Sequence, residues 1–212
     1  MEKNIIISDW VKAEIGEPKA VLKIRSSEQN KVYKIETDTG LYILKQGPNL
    51  APEKDRLIWL KDKLPVAKFV AWRKTEQNEE LIISFIAGDD LADMVKKVSP
   101  TIVIDFLVQA LKMVHQIDIS DCPFGEKGEN RVFVHGDACL PNFIIKEDKV
   151  VGIIDLRDSR IDNEEVDVAA AVWTLDFNYG PGHGCEFLEK YEWSDVDEAE
   201  VNRLIEAYEI QI

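Results

Sequence analysis

The sequence predicts an α+β fold in two parts, β-rich first and helix-rich second, and three observations carry that reading. Residues 20–46 hold three apolar or alternating runs separated by turn residues. After Gly88 the apolar period becomes that of helices. Residues 142–155 then return to two short β runs, a hairpin set among helices.

In order, "AVLKIRS" (20–26), "VYKIET" (32–37) and "LYILKQ" (41–46) read as strands, with "SEQN" and "DTG" as turns. "APEKDRLIWLKDKL" (51–64) spaces Leu57, Leu60 and Leu64 as on one helix face, and Pro52 suits a first turn. "AKFVAWRK" and "ELIISFIAG" return to strand character. Residues 1–87 therefore form an N-terminal lobe, an antiparallel five-stranded sheet with one helix. In residues 88–212, Ser99-Pro100 opens a helix running to about His115, with Ile104, Leu107, Val108, Leu111 and Val114 on one face. "NFIIKED" and "VVGIID" form the hairpin, and helices start near Glu165 and Asp197. "NYGPGHGCEF" (178–187) reads as a glycine-rich loop, a lid or a connector.

Composition narrows the function. The chain has 212 residues and 45% hydrophobic content, enough for a packed core. Its 40 acids against 26 bases leave a net charge of −14, which argues against nucleic acid and suits a cationic small molecule. No run approaches membrane-spanning length, and "MEKNIIISDW" is too short in apolar residues for a signal peptide. Cys122, Cys139 and Cys185 are too scattered for a disulfide framework or a zinc site. A soluble cytoplasmic protein with no membrane partner is expected.

The chemistry concentrates in "FVHGDACLPNFII" (133–145). A hairpin brings its two ends together, so Asn142 and Asp155 face one point. An amide oxygen and a carboxylate there make a hard-oxygen site suited to Mg²⁺. Asp137, one loop away, can take the proton of an attacking hydroxyl. A positioned base beside metal ligands is what phosphoryl transfer needs.

The stretch "VHGDACLPNFIIKEDKVVGIIDLRDSRIDNEEVDVA" resembles the catalytic segment of the aminoglycoside phosphotransferase family, relatives of protein kinases, and "HGDACLPN" its 3′-phosphotransferase branch. The resemblance spans roughly residues 20–180 and implies a protein-kinase-like two-lobed fold with ATP between the lobes. It implies Asp137 as catalytic base, Asn142 and Asp155 as metal ligands, and His135 and Asp167 as structural support of the catalytic loop. Lys45 at the end of the third strand takes the place of the lysine that meets the α- and β-phosphates, with Glu53 as its ion-pair partner. "ISFIAG" (83–88) resembles the hinge, where the backbone of Ser84 to Ile86 holds adenine. The activity implied is ATP- and Mg²⁺-dependent phosphorylation of a hydroxyl on an aminoglycoside-like acceptor.

Two departures bear on that activity. The first hairpin carries Ser26 and Ser27 without a glycine, and Glu28 beside them, so Ser27 is the phosphate-loop candidate and weak nucleotide affinity is expected. "DISDCPFGEKGENRVFVHGD" connects the helix ending near His115 to the catalytic loop without the helical pair of the 3′-phosphotransferases, which leaves a reduced second lobe. Asp158, Asp162 and Glu165, after the metal acid, are the candidates for binding a cationic acceptor. Two alternatives stay open: a kinase for another small hydroxylated metabolite, and a catalytically silent nucleotide-binding relative. The short stretch from Asp155 to Asp167 leaves no room for a peptide-docking activation segment.

Overall fold

A computed structural model describes residues 7–26 and 30–210. The chain divides into two compact units. One holds the chain up to Ile58 together with Ala67–Ile86, and the other holds Trp59–Val66 and the chain from Ala87 onward.

The first unit is built on an antiparallel sheet of β1 (Ala20–Ser26), β2 (Lys31–Glu36), β3 (Leu41–Gly47), β4 (Phe69–Lys74) and β5 (Glu79–Ser84), in the order β1-β2-β3-β5-β4. The expected five strands are present. A helix that the apolar pattern did not announce precedes them, α1 (Asp9–Ile15). Ser8 caps it, its Oγ accepting the Val11 N–H at 3.5 Å, and Gly16 at φ 89° ends it. Two turns are too few for a helical period to stand out; tertiary burial of Val11 and Ile15 against Tyr33, Ile35, Leu44, Ala71 and Ile82 stabilises it instead.

The helix expected over 51–64 stops at Leu60 as α2 (Ala51–Leu60). Asp62, in the left-handed region at φ 74°, turns the chain, and Leu64 is buried from that turn. The Glu79 carboxylate, on β5, accepts the backbone N–H groups of Leu50 at 2.6 Å and Ala51 at 2.8 Å. A buried anion thus satisfies donors at the positive end of α2 and fixes where the helix starts.

The second unit runs β6 (Asp89–Asp90), α3 (Leu91–Met94), α4 (Pro100–His115), β7 (Val132–Val134), β8 (Phe143–Lys146), β9 (Lys149–Ile153), β10 (Arg160–Asp162), α5 (Glu165–Tyr179), α6 (Gly184–Tyr191) and α7 (Glu198–Glu209). The apolar face of α4 is buried as its period predicts. Residues 116–131 carry no helix. The β8–β9 hairpin closes on Glu147 and Asp148, at φ 50° and 57°, a two-residue turn with both centres left-handed. The glycine-rich stretch is only partly loop, because α6 starts at Gly184. A Cβ on Gly184 would lie 2.8 Å from Val201, so this glycine permits close packing of α6 on α7. No described helix is long and apolar enough to cross a membrane.

Candidate active site

β7 and β10 pair antiparallel, with Val134 opposite Arg160. That pairing sets the loop after β7, His135 to Asp137, beside the segment before β10, Asp155 to Asp158. Gly136 allows the close approach. It sits at φ 85°, and a Cβ there would meet the Asp158 carbonyl oxygen at 2.6 Å.

His135 is fully buried and ties the two segments together. Its Nδ1 accepts the Asp137 N–H at 3.2 Å, so its Nε2–H donates to the Ile154 carbonyl at 2.8 Å. With one ring nitrogen accepting and the other donating, the imidazole is neutral and structural. Ser159 Oγ donates to the His135 carbonyl at 2.9 Å, and the Ile154 N–H donates to the Asn142 carbonyl at 3.0 Å. Asp155 follows at φ 63°, in the left-handed region that an aspartate tolerates better than most residues.

Asp167, fully buried on α5, holds the loop from beneath. Its Oδ2 accepts the His135 N–H at 2.6 Å and His115 Nε2–H at 2.9 Å, and its Oδ1 accepts the Gly136 N–H at 2.8 Å. Burial alone raises its carboxyl pKa, but the hydrogen bond and charge of His115, with the His135 amide, outweigh it and hold the carboxyl below its usual 3.8. On the far side, His115 Nδ1 meets Tyr191 Oη at 2.6 Å, and that hydroxyl reaches Glu164 at 2.9 Å.

Asp137 and Asn142 come together directly. Asn142 Nδ2 donates to the Asp137 carbonyl at 2.8 Å and to its Oδ2 at 3.1 Å. The amide nitrogen is thereby engaged, and the amide oxygen, the end that binds cations, is turned the other way. No group of three or more His, Cys, Asp or Glu side chains gathers as a metal site among the described residues. An amide oxygen with one or two carboxylates fits Mg²⁺ rather than a caged metal, since Mg²⁺ completes its shell with phosphate oxygens and water.

In the first unit, Lys45 Nζ on β3 lies 2.6 Å from Glu53 Oε1 on α2. Ser27 lies outside the described residues. Ser84, ending β5, exchanges hydrogen bonds with Lys68, and Phe85 N–H donates to the Leu41 carbonyl at 3.0 Å. The amides of Ser84 and Phe85 are therefore committed to the sheet, and Ile86 is the last residue of this unit.

The three acids expected to meet a cationic acceptor already have arginine partners. Asp158 is paired with Arg157 at 3.2 Å, Asp162 with Arg160 at 2.7 Å, and Glu165 with Arg203 at 3.0 Å. Asp162, opposite Val132, also lies at the end of the β7–β10 pairing away from the His135–Asp137 loop.

The structure adds residues that sequence reasoning missed: Glu79, His115, Tyr191 and Tyr208. Glu79 was the most legible, since two adjacent acids in an otherwise apolar strand need buried partners.

The sequence pattern of the phosphotransferase enzyme family (APH) matches residues 20–131 and 126–201. The chain belongs to that family. Among curated relatives, the aminoglycoside 3′-phosphotransferase of Niallia circulans is 25% identical over 200 residues, covering 74% of this chain and 76% of the relative. Among solved structures, an aminoglycoside-3′-phosphotransferase of type VIII aligns with a TM-score of 0.72 at 17% identity, covering 94% of this chain and 98% of that one. A thermostable mutant of aminoglycoside phosphotransferase APH(4)-Ia, in ternary complex with AMP-PNP and hygromycin B, aligns at 0.76 with 11% identity, covering 92% and 85%. These alignments establish the kinase-like α+β fold.

Proposed function

We propose that this protein transfers the γ-phosphoryl group of ATP to a hydroxyl of an aminoglycoside, with the 3′-hydroxyl as the expected position. The observation that carries the proposal is the carboxylate of Asp137, held by Asn142 on a loop that His135 and Asp167 lock in place. Family membership and the names of the relatives support the reaction and the acceptor class.

In this mechanism Asp137 accepts a hydrogen bond from the acceptor hydroxyl, orients it, and takes its proton as the new oxygen–phosphorus bond forms. The bond from phosphorus to the β–γ bridging oxygen breaks, and ADP leaves. Asn142 and Asp155 hold Mg²⁺, which neutralises charge on the phosphate oxygens when bound. Lys45, oriented by Glu53, holds the α- and β-phosphates, and the backbone around Ile86 holds the base. The unit that holds the chain up to Ile58 and Ala67–Ile86 is the nucleotide lobe, and the other unit is the catalytic lobe.

The arginine partners of Asp158, Asp162 and Glu165 favour a second reading, a smaller and less cationic hydroxylated acceptor. One experiment separates the two. ADP release with MgATP is measured over a panel of aminoglycosides, hygromycin B among them, and of amino alcohols and sugars. Turnover confined to aminoglycosides, with the phosphate placed by NMR, supports the first reading. Turnover confined to the other acceptors replaces it. The Asp137→Asn variant should lose about 10²–10⁴-fold in kcat with nucleotide binding retained; unchanged turnover would remove Asp137 from the mechanism.

A further inference from the structure

We infer that Tyr208, near the end of α7, is a positioning residue that aims the Asp137 carboxylate. The inference rests on the reading of Asp137 as the base.

The phenol lies at the meeting point of two groups from the catalytic loop. Tyr208 Oη is 3.3 Å from Asp137 Oδ1 and 3.4 Å from Cys139 Sγ. A carboxylate only accepts, so the single phenol proton points to Asp137. The phenol oxygen is then free to accept from the Cys139 thiol. Tyr208 donates to Asp137, with the Cys139 thiol in contact with the same phenol oxygen. Burial pushes the Cys139 thiol up to about 12 and also raises the Tyr208 phenol, so both groups keep their protons at neutral pH.

Asn142 already engages the other carboxylate oxygen, Oδ2, at 3.1 Å. With a donor on each oxygen, the carboxylate cannot turn about its terminal bond, and its remaining lone pairs keep a fixed direction. The contact to Oδ1 is long for a hydroxyl donor, as such contacts are before substrate binds. The phenol is itself held in place. Tyr208 is 9% exposed, and its ring packs on Trp173 of α5 at a centroid distance of 5.1 Å. The packing of α7 on α5 therefore sets the aim of the base. Tyr208 contacts the Asp137 carboxylate, so the inferred role is exerted through Asp137.

The test is a double-mutant cycle between Tyr208→Phe and Asp137→Asn. The readout is ADP release with the best acceptor of the panel, or MgATP hydrolysis by water if no acceptor turns over. Phenylalanine keeps the ring and its contact with Trp173, so the thermal midpoint should stay that of the parent. Tyr208→Phe should lower kcat about 10-fold and leave both KM values within about twofold. In the Asp137→Asn background the same change should have no further effect.

Three outcomes overturn the inference: kcat unchanged in Tyr208→Phe, a loss confined to KM, or losses that multiply in the double variant. An Asp137→Asn variant as active as the parent removes the base assignment itself. A severe loss in Asp137→Asn with an unaffected Tyr208→Phe removes only the role of Tyr208.

Discussion

Lys45 Nζ stands 2.6 Å from Glu53 Oε1, and the two side chains are only 13% and 4% exposed. A buried ion pair contributes little net stability, yet losing one partner is expensive because the other charge is left uncompensated. Lys45→Met should therefore destabilise the protein by about 3 kcal/mol in urea unfolding. Lys45→Met with Glu53→Leu should recover most of that loss. Neither variant should show a thermal shift with MgATP, because the cation proposed to hold the phosphates is gone in both. Recovered nucleotide stabilisation in the double variant would contradict the phosphate role of Lys45.

Glu79 fixes the start of α2 through the amides of Leu50 and Ala51. Glu79→Ala strands both donors and should cost about 2 kcal/mol. Glu53 sits in the first turn of that helix, so the MgATP-induced thermal shift should shrink as well. Stability lost with an unchanged shift would separate the cap from nucleotide binding.

Gly136 has neither the room nor the backbone angle for a side chain. Gly136→Ala should lower kcat by about 10²-fold or more and stability by about 2 kcal/mol, since the Asp158 backbone must move. Turnover with the best acceptor and a urea melt measure the two effects.

Asp167 supplies a pH signature. Its folded carboxyl lies below the usual 3.8, so its contribution to stability is complete above that pH and is lost as pH falls through the folded value. Asp167→Asn should destabilise by about 3 kcal/mol at pH 7, because the amide cannot accept all three hydrogen bonds. The stability gap between parent and variant should be level from about pH 7 to pH 5 and narrow below about pH 4. A gap that widens on acidification would reverse the assigned direction.

Features written locally were legible in the sequence. The strands of the first unit, the capped and periodic α4 and the tight β8–β9 hairpin each carry their signal within a few residues. So does the approach of the two hairpin ends, where the Ile154 N–H meets the Asn142 carbonyl. Features fixed by distant partners were not legible. α1 is stabilised by a sheet that follows it, and β7 and β10, three residues each, depend on pairing with each other across 26 or more positions of sequence. Gly184 resembled loop flexibility because nothing near it in sequence reveals Val201. The acceptor acids were chosen for their charge; Arg157 and Arg160 stand beside Asp158 and Asp162 in the sequence, whereas Arg203, the partner of Glu165, arrives from another part of the chain. Tyr208 was invisible for the same reason, since it lies 71 positions from Asp137.

The neutral imidazole of His135 binds the backbone of Asp137 and of Ile154 at once, while Asp167 grips the same turn from α5. Exchanging short pieces between relatives would cut these cross-links at one end and leave their polar groups stranded. Chimeras that move 132–167 intact should retain a working centre, whereas those joined between Asn142 and Asp155 should not. The smallest portable piece of this enzyme is therefore a contiguous cassette rather than its individual functional side chains.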